Sequence, residues 1–198
     1  MKTKIILETL VLAAALTATQ VGAAPISLQG STITGTYNGS GEGVLGLDRW
    51  FSAEPGSNTT AIDPSDTGGV EFLTSDWLFG FDFSTTGKLT VFANNPVPVP
   101  GDYRLVFDFG ASLTQRIGSF TLLDAGGIGS LPVLSVLDEH TIAIDLSSVS
   151  WNSAYGEFSA QIGAADSAAV PEPGSIGLVL AGVTGFAMAR RRKSAARA

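Results

Sequence analysis

Apolar and polar residues alternate with a period of two along much of the chain, a pattern typical of half-buried β-strands. The apolar positions of the four best stretches are Trp77, Phe79, Phe81 and Phe83; Tyr103, Leu105, Phe107 and Phe109; Ile142, Ile144 and Leu146; and Phe158, Ala160 and Ile162. Residues 84–87 have turn chemistry, so the first stretch and residues 88–93 are expected to form a hairpin. The alternation predicts that all of these apolar side chains, Trp77 included, lie in the core.

Five further strands are expected at residues 26–37, 43–49, 70–74, 117–123 and 132–137. No segment of residues 24–163, which we call the body, has a convincing helical pattern. About nine short strands separated by turn signals predict an all-β fold, an antiparallel β-sandwich or jelly roll. The proline-rich residues 94–101 are expected to be a loop within this one domain.

The N-terminus has the three parts of a secretory signal peptide over residues 1–23. Lys2 and Lys4 precede a mostly apolar segment, and Val21 and Ala23 supply the small residues at positions −3 and −1 of a cleavage site. The pattern predicts export through the Sec translocon with cleavage after Ala23. The alternative is an uncleaved apolar helix that belongs to the folded domain.

The C-terminal part of the chain also has three parts. The motif Val170, Pro171, Glu172 and Pro173 is followed by an uncharged segment, residues 174–189, and then by the basic cluster Arg190, Arg191, Arg192 and Lys193. An apolar segment that ends at adjacent cations predicts a transmembrane helix with residues 194–198 as a cytoplasmic tail, and a buried core helix is the alternative. The small and polar residues 164–169 are expected to be a flexible tether between the body and this segment.

This order of motif, apolar helix and arginine-rich end resembles the PEP-CTERM sorting signal of Gram-negative bacteria over residues 170–193. The resemblance implies recognition of Pro171, Glu172 and Pro173 by an exosortase, a multi-pass membrane enzyme that resembles a protease. It further implies transient anchoring in the membrane, removal of the tail, and transfer of the body to the cell surface or the extracellular matrix. The resemblance implies little about the body itself.

Charge and composition exclude several classes of partner and site. Residues 24–169 contain 16 acidic and four basic residues, a net charge of −12 at neutral pH, so nucleic acid is not an expected partner. The chain has no cysteine, which excludes disulfides, thiol nucleophiles and iron–sulfur clusters. With a single histidine it also lacks the ligands for a multi-histidine metal site.

No set of catalytic residues stands out from the rest of the body. His140 follows Asp138 and Glu139, and we expect a solvated turn residue there rather than the base of a catalytic triad. The many acidic residues could form pairs, but no motif singles out a glycosidase pair. We therefore expect a protein that is not an enzyme, with no catalytic residue and no cofactor.

Two features of the sequence point to ligands of the body. Asp63, Asp66 and Asp76 place carboxylates in and after a tight turn, as a Ca²⁺ site would require, although ordinary turn chemistry also explains them. Trp50, Trp151 and Tyr155 lie near expected strand ends. Of these, Trp50 and Trp151 are the candidates for stacking on sugar rings, with partly buried aromatic residues as the alternative.

The sequence thus predicts an exported surface or extracellular-matrix protein that an exosortase sorts and that is associated with exopolysaccharide or biofilm. The alternative is a polysaccharide-binding β-sandwich delivered by the same tail. A secreted hydrolase is the least favoured class.

Overall fold

A computed structural model describes residues 23–47, 57–62, 65, 69–94 and 101–165. These residues form two antiparallel β-sheets, and the only helical elements among them are two single 3-10 turns, at Gly41–Gly43 and Gly110–Ser112. The prediction of an all-β, antiparallel architecture is confirmed. The predicted C-terminal helix lies outside the described residues.

The described part of the chain contains eleven strands. They are β1 (Thr32–Tyr37), β2 (Val44–Gly46), β3 (Thr59–Ala61), β4 (Phe72–Thr74), β5 (Phe79–Phe83), β6 (Lys88–Ala93), β7 (Arg104–Asp108), β8 (Ile117–Asp124), β9 (Val133–Val136), β10 (Thr141–Asp145) and β11 (Glu157–Ala164). One sheet has the strand order β2-β4-β5-β6-β11-β8, and the other has the order β3-β1-β7-β10-β9. The predicted hairpin is β5 and β6, which pair from Phe79 opposite Ala93 to Phe83 opposite Leu89.

The core lies between the inner faces of the two sheets and is rich in phenylalanine. The alternation predicted it well, because Phe79, Phe81 and Phe83 are fully buried. So are the predicted inner positions of β7, β10 and β11. Phe107 is at the centre, with its ring centroid 5.3 Å from that of Phe72, 5.2 Å from Phe81 and 5.1 Å from Phe83.

Trp77 is the exception, and its predicted place in the core is wrong. Its side chain is 54% exposed, and its backbone φ is +62°, in the left-handed region. The amide of Trp77 donates to the carbonyl of Thr74 in a turn, so β5 begins only at Phe79. A left-handed residue does not continue the extended repeat, and the side chain therefore leaves the phase of the strand that follows.

β3 was not predicted because it has no apolar alternation. Its residues Thr59 and Thr60 are held by polar contacts instead: Thr59 shares a hydroxyl hydrogen bond of 3.0 Å with Thr34, and Thr60 donates to the carbonyl of Leu47. The predicted strand at residues 26–37 is shorter in the structure and begins at Thr32. Its earlier part is held by separate backbone hydrogen bonds, such as that from Leu28 to Thr85.

The two ends of the body lie side by side. The amide of Ala164, the last residue of β11, donates to the carbonyl of Ala24 at 2.7 Å, and the amide of Ile26 donates to the carbonyl of Ile162 at 3.2 Å. Pro25 forms an antiparallel bridge with Gly163. The chain therefore enters and leaves the sandwich at one place.

Substitution of Phe107 tests the role of the ring cluster. We expect Phe107→Ala to lower the free energy of unfolding by about 3–5 kcal/mol, because it leaves a cavity where three other rings meet. Phe92→Ala is the matched control, since Phe92 is half-buried and its ring covers Gly80 on the outer face of the sheet. Its expected loss is about 1–2 kcal/mol. Urea unfolding of the purified protein measures both, and equal losses would contradict the central role of Phe107.

Candidate functional site

Most of the residues predicted to act in sorting or ligand binding lie outside the described part of the chain. These residues are Val21, Trp50, Asp63, Asp66, the motif Val170, Pro171, Glu172 and Pro173, and the basic cluster Arg190, Arg191, Arg192 and Lys193. The described part of the chain contains no candidate for a membrane-spanning helix. Ala23, Asp76 and Trp151 are described. Ala23 is exposed and directly precedes Ala24, whose carbonyl bonds to the amide of Ala164.

Asp76 is occupied by contacts within the protein. One carboxylate oxygen accepts a hydrogen bond from the hydroxyl of Tyr37 at 2.9 Å, and the other accepts from the amide of Leu78 at 3.1 Å. The described residues contain no group of three potential metal ligands. Because Asp63 and Asp66 are not described, the calcium site stays a prediction.

Trp151 is half-buried and packs against the core. Its ring centroid lies 5.9 Å from that of Phe79 and 6.1 Å from that of Phe158. The backbone of Trp151 forms a bridge with Ile128. Part of the indole is therefore committed to packing, and stacking of Trp151 on a sugar stays a prediction.

Two other aromatic side chains are far more exposed. Trp77 is 54% exposed and Tyr155 is 63% exposed, and both have a positive φ, +62° and +58° respectively. A left-handed conformation costs an ordinary residue roughly 1–2 kcal/mol, and such strain is concentrated at functional sites. The exposure of their side chains and the strain of their backbone together make Trp77 and Tyr155 candidates for a functional site.

Both aromatic residues lie at the same end of the six-stranded sheet. The side-chain amide of Asn94, just after β6, donates to the carbonyl of Trp77 at 3.1 Å. The amide of Ala93 donates to the carbonyl of Gly156, the residue after Tyr155, at 3.0 Å. We call the surface formed by Trp77, Asn94 and Tyr155 the aromatic end.

The strand order sets the spacing across the aromatic end. β5, β6 and β11 are consecutive neighbours, with Trp77 before β5 and Tyr155 before β11. Two steps between strands place the two backbones about 10 Å apart. One extended ligand can span that distance, and exposed aromatic rings offer flat apolar faces for stacking.

A row of packed rings lies between the sheets beneath the aromatic end. The ring of Tyr37 stacks on that of Tyr103 at 6.4 Å, and Tyr103 meets Phe79 edge to face at 5.1 Å. Phe79 in turn packs on Trp151. This row supports the turn that carries Trp77, because Tyr37 also binds Asp76 in the same turn.

Burial and the carboxylate of Asp76 affect the tyrosines of this row. Burial, together with the hydrogen bond to Asp76, raises the pKa of Tyr37 far above its ordinary value of 10.0. Burial and the charge of Asp76 also raise the pKa of Tyr103. Both phenols are therefore neutral, and the hydroxyl of Tyr37 keeps its proton for the bond to Asp76.

Sequence reasoning placed Trp77 in the core and noted Tyr155 only as an aromatic residue near a strand end. The available signal was the segment Thr74–Ser75–Asp76 before Trp77, since Ser and Asp favour turns. Nothing in the sequence indicates the left-handed backbone of Trp77 and Tyr155, because tryptophan and tyrosine rarely adopt that conformation.

The Tyr37–Asp76 bond predicts a dependence of stability on alkaline pH. A raised pKa in the folded state gives stability that is complete below pH 10 and is lost as the pH rises further, because only the unfolded state ionises readily there. Tyr37→Phe should lower the free energy of unfolding by about 1 kcal/mol at pH 8. By pH 11 the free energies of unfolding of Tyr37→Phe and of the unsubstituted protein should be closer to each other than at pH 8. Urea midpoints at both pH values measure them, and a constant difference would argue against this linkage.

Comparison with known protein families supplies the remaining finding. Residues 169–193 match the model of the PEP-CTERM protein-sorting motif. No curated protein and no solved structure matches the chain. The matched range contains the predicted motif at residues 170–173 and the basic cluster at residues 190–193, and the predicted resemblance is confirmed. The chain therefore carries a PEP-CTERM protein-sorting motif, which marks it as an exported protein and an exosortase substrate bound for the cell surface or the extracellular space.

Proposed function

We propose that the chain is a non-enzymatic protein of the cell surface or extracellular matrix that is associated with exopolysaccharide. The match of residues 169–193 to the sorting motif carries the proposal. In this function the Sec translocon exports the chain, the C-terminal segment holds it in the membrane for a time, and an exosortase then processes the tail. The body is the part that acts outside the cell.

The chemistry of the body supports a role without catalysis. His140 is the only imidazole of the chain, and it lies in the turn between β9 and β10. Its amide donates to the carboxylate of Asp138 at 2.8 Å, as is common in tight turns. Thr141, which follows this turn, pairs with Asp108 at the C-terminal end of β7. The aromatic end lies near Tyr103, which precedes the N-terminal end of β7. The imidazole is thus far from the surface best suited to a ligand.

The aromatic end favours polysaccharide binding as the second candidate function. Pyranose rings present apolar C–H faces that stack on aromatic rings, while their hydroxyl groups bond to polar side chains. Trp77 and Tyr155 supply exposed rings, and Asn94 lies between them. The left-handed backbone is costly to keep for aromatic residues that only face solvent, and a binding role would account for it. In this function Trp77 and Tyr155 take the place that the sequence suggested for Trp50 and Trp151.

Substitution of the motif tests the sorting route. Replacing Pro171, Glu172 and Pro173 with alanine should leave export intact and keep the protein in the membrane fraction, because the exosortase no longer recognises the motif. The paired substitution Asp166→Ala and Ser167→Ala, in the adjoining tether, is the matched control and should be sorted normally. Cell fractionation followed by immunoblotting measures both. Normal surface release of the triple-alanine variant would refute the role of the motif.

Asparagine substitutions at the aromatic end separate binding from stability. Asparagine tolerates the left-handed region, so Trp77→Asn and Tyr155→Asn should leave the free energy of unfolding unchanged or raise it by up to about 1 kcal/mol. Both should weaken retention in gels that contain the exopolysaccharide of the producing bacterium. Leu123→Asn, at an exposed apolar residue of β8, is the control. Migration of the two aromatic variants like the unsubstituted protein would rule out binding at this end.

A further inference from the structure

The exposed large apolar side chains of the described residues fall into two sets. Trp77 and Tyr155 belong to the aromatic end. The other five lie within residues 123–137, at the side of the sandwich where β8 and β9 are the last strands of their sheets. They are Leu123, Leu131, Val133, Val136 and Leu137. This second set has no role in the function proposed above.

β9 has backbone hydrogen-bonding groups on its outer side that no strand of the described residues pairs with. Leu137 donates to the carbonyl of Thr141, so by the alternation of an antiparallel ladder Ser135 and Val133 also bond towards β10. The amides and carbonyls of Leu134 and Val136 then point away from β10. Among the described residues no strand pairs with that side of β9.

The sequence of this edge lacks the usual protection. Natural edge strands commonly carry lysine or another charge that prevents pairing with a second chain. Residues 125–137 contain no charged residue, although residues 24–169 as a whole have a net charge of −12. Val133 is 57% exposed. The one proline of residues 125–137 is Pro132, just before β9. At that position it limits how far a second strand can pair along the edge, but it does not prevent pairing with β9.

The order of residues in β9 makes it complementary to itself. An antiparallel pair of two β9 strands centred on Ser135 places Val133 opposite Leu137 and Leu134 opposite Val136 of the second copy, so that apolar residues meet on both faces. In the same register the amides and carbonyls of Leu134 and Val136 form hydrogen bonds between the two copies. These are the backbone groups that do not bond to β10. The acidic residues Asp138 and Glu139 fall beyond this overlap, opposite the region of Pro132.

We propose that β9 is a self-association site, at which two copies of this chain pair antiparallel about a two-fold axis through Ser135. The two five-stranded sheets then continue into one another across the interface. A two-fold pairing of the same surface closes on itself and gives dimers rather than open fibres. Because each body is strongly acidic, association should strengthen with added salt, which screens the repulsion between the copies.

A single cysteine tests the register directly, because the chain has none of its own. In the proposed pair Ser135 faces its counterpart at a non-hydrogen-bonded position, where the Cα atoms are about 4.5 Å apart. That distance permits a disulfide. Ser135→Cys in the full chain, treated with oxidised glutathione, should give a dimer on non-reducing gels, with two thiols oxidised to one disulfide and glutathione disulfide reduced to two thiols. Thr121→Cys, at an exposed position of β8, is the matched control and should give several-fold less dimer.

A second substitution distinguishes pairing from chance collision. Val136→Pro removes an amide that points away from β10, so it should leave the β9–β10 pairing and the urea midpoint nearly unchanged. In the Ser135→Cys background it should reduce the yield of disulfide dimer to that of the Thr121→Cys control. Equal dimer yields from Ser135→Cys and Thr121→Cys would overturn the proposal, and so would association in sedimentation experiments that Val136→Pro leaves intact.

Discussion

The packing of phenylalanine rings between the two sheets is the interaction on which the described structure depends. Backbone hydrogen bonds join strands within each sheet, but they do not determine how one sheet lies on the other. The ring of Phe107 on β7 contacts rings of β4 and β5 across the core, and its contact with Phe83 is edge to face at 77°. Gly35 on β1 borders this cluster, since a Cβ atom there would lie 3.4 Å from both Phe107 and Phe72, at the edge of ordinary van der Waals contact. The edge-to-face geometry restricts how the sheets can turn on one another.

Most of this core could be predicted from the sequence because burial on one face of a strand imposes a period of two. The inner residues of β5, β7, β10 and β11 follow that rule without a break. The prediction failed at Trp77, where one left-handed residue shifts the phase, and at β3, where hydroxyl contacts replace apolar burial. In both places a local conformation or a polar contact, rather than hydrophobic periodicity, decides the structure.

The candidate sites were less accessible to sequence reasoning than the core. The sorting motif could be recognised because its three parts are contiguous in the chain, whereas the aromatic end joins residues 77, 94 and 155, which meet only after β5, β6 and β11 have paired. Similarly, residues 132–137 were predicted as a strand, but whether that strand is central or at an edge depends on the order of all the others. Alternation alone does not determine which neighbours a strand acquires.

The hydrogen bond between Ala24 and Ala164 has a consequence for how the body is presented to its surroundings. Tyr155 precedes β11 and Ala164 ends it, so the length of that strand, about 26 Å for eight residues, separates the aromatic end from Ala24 and Ala164. Both connections of the body to the rest of the chain therefore start at the end of β11 opposite to Trp77 and Tyr155, and a change at those connections leaves the binding surface proposed above undisturbed.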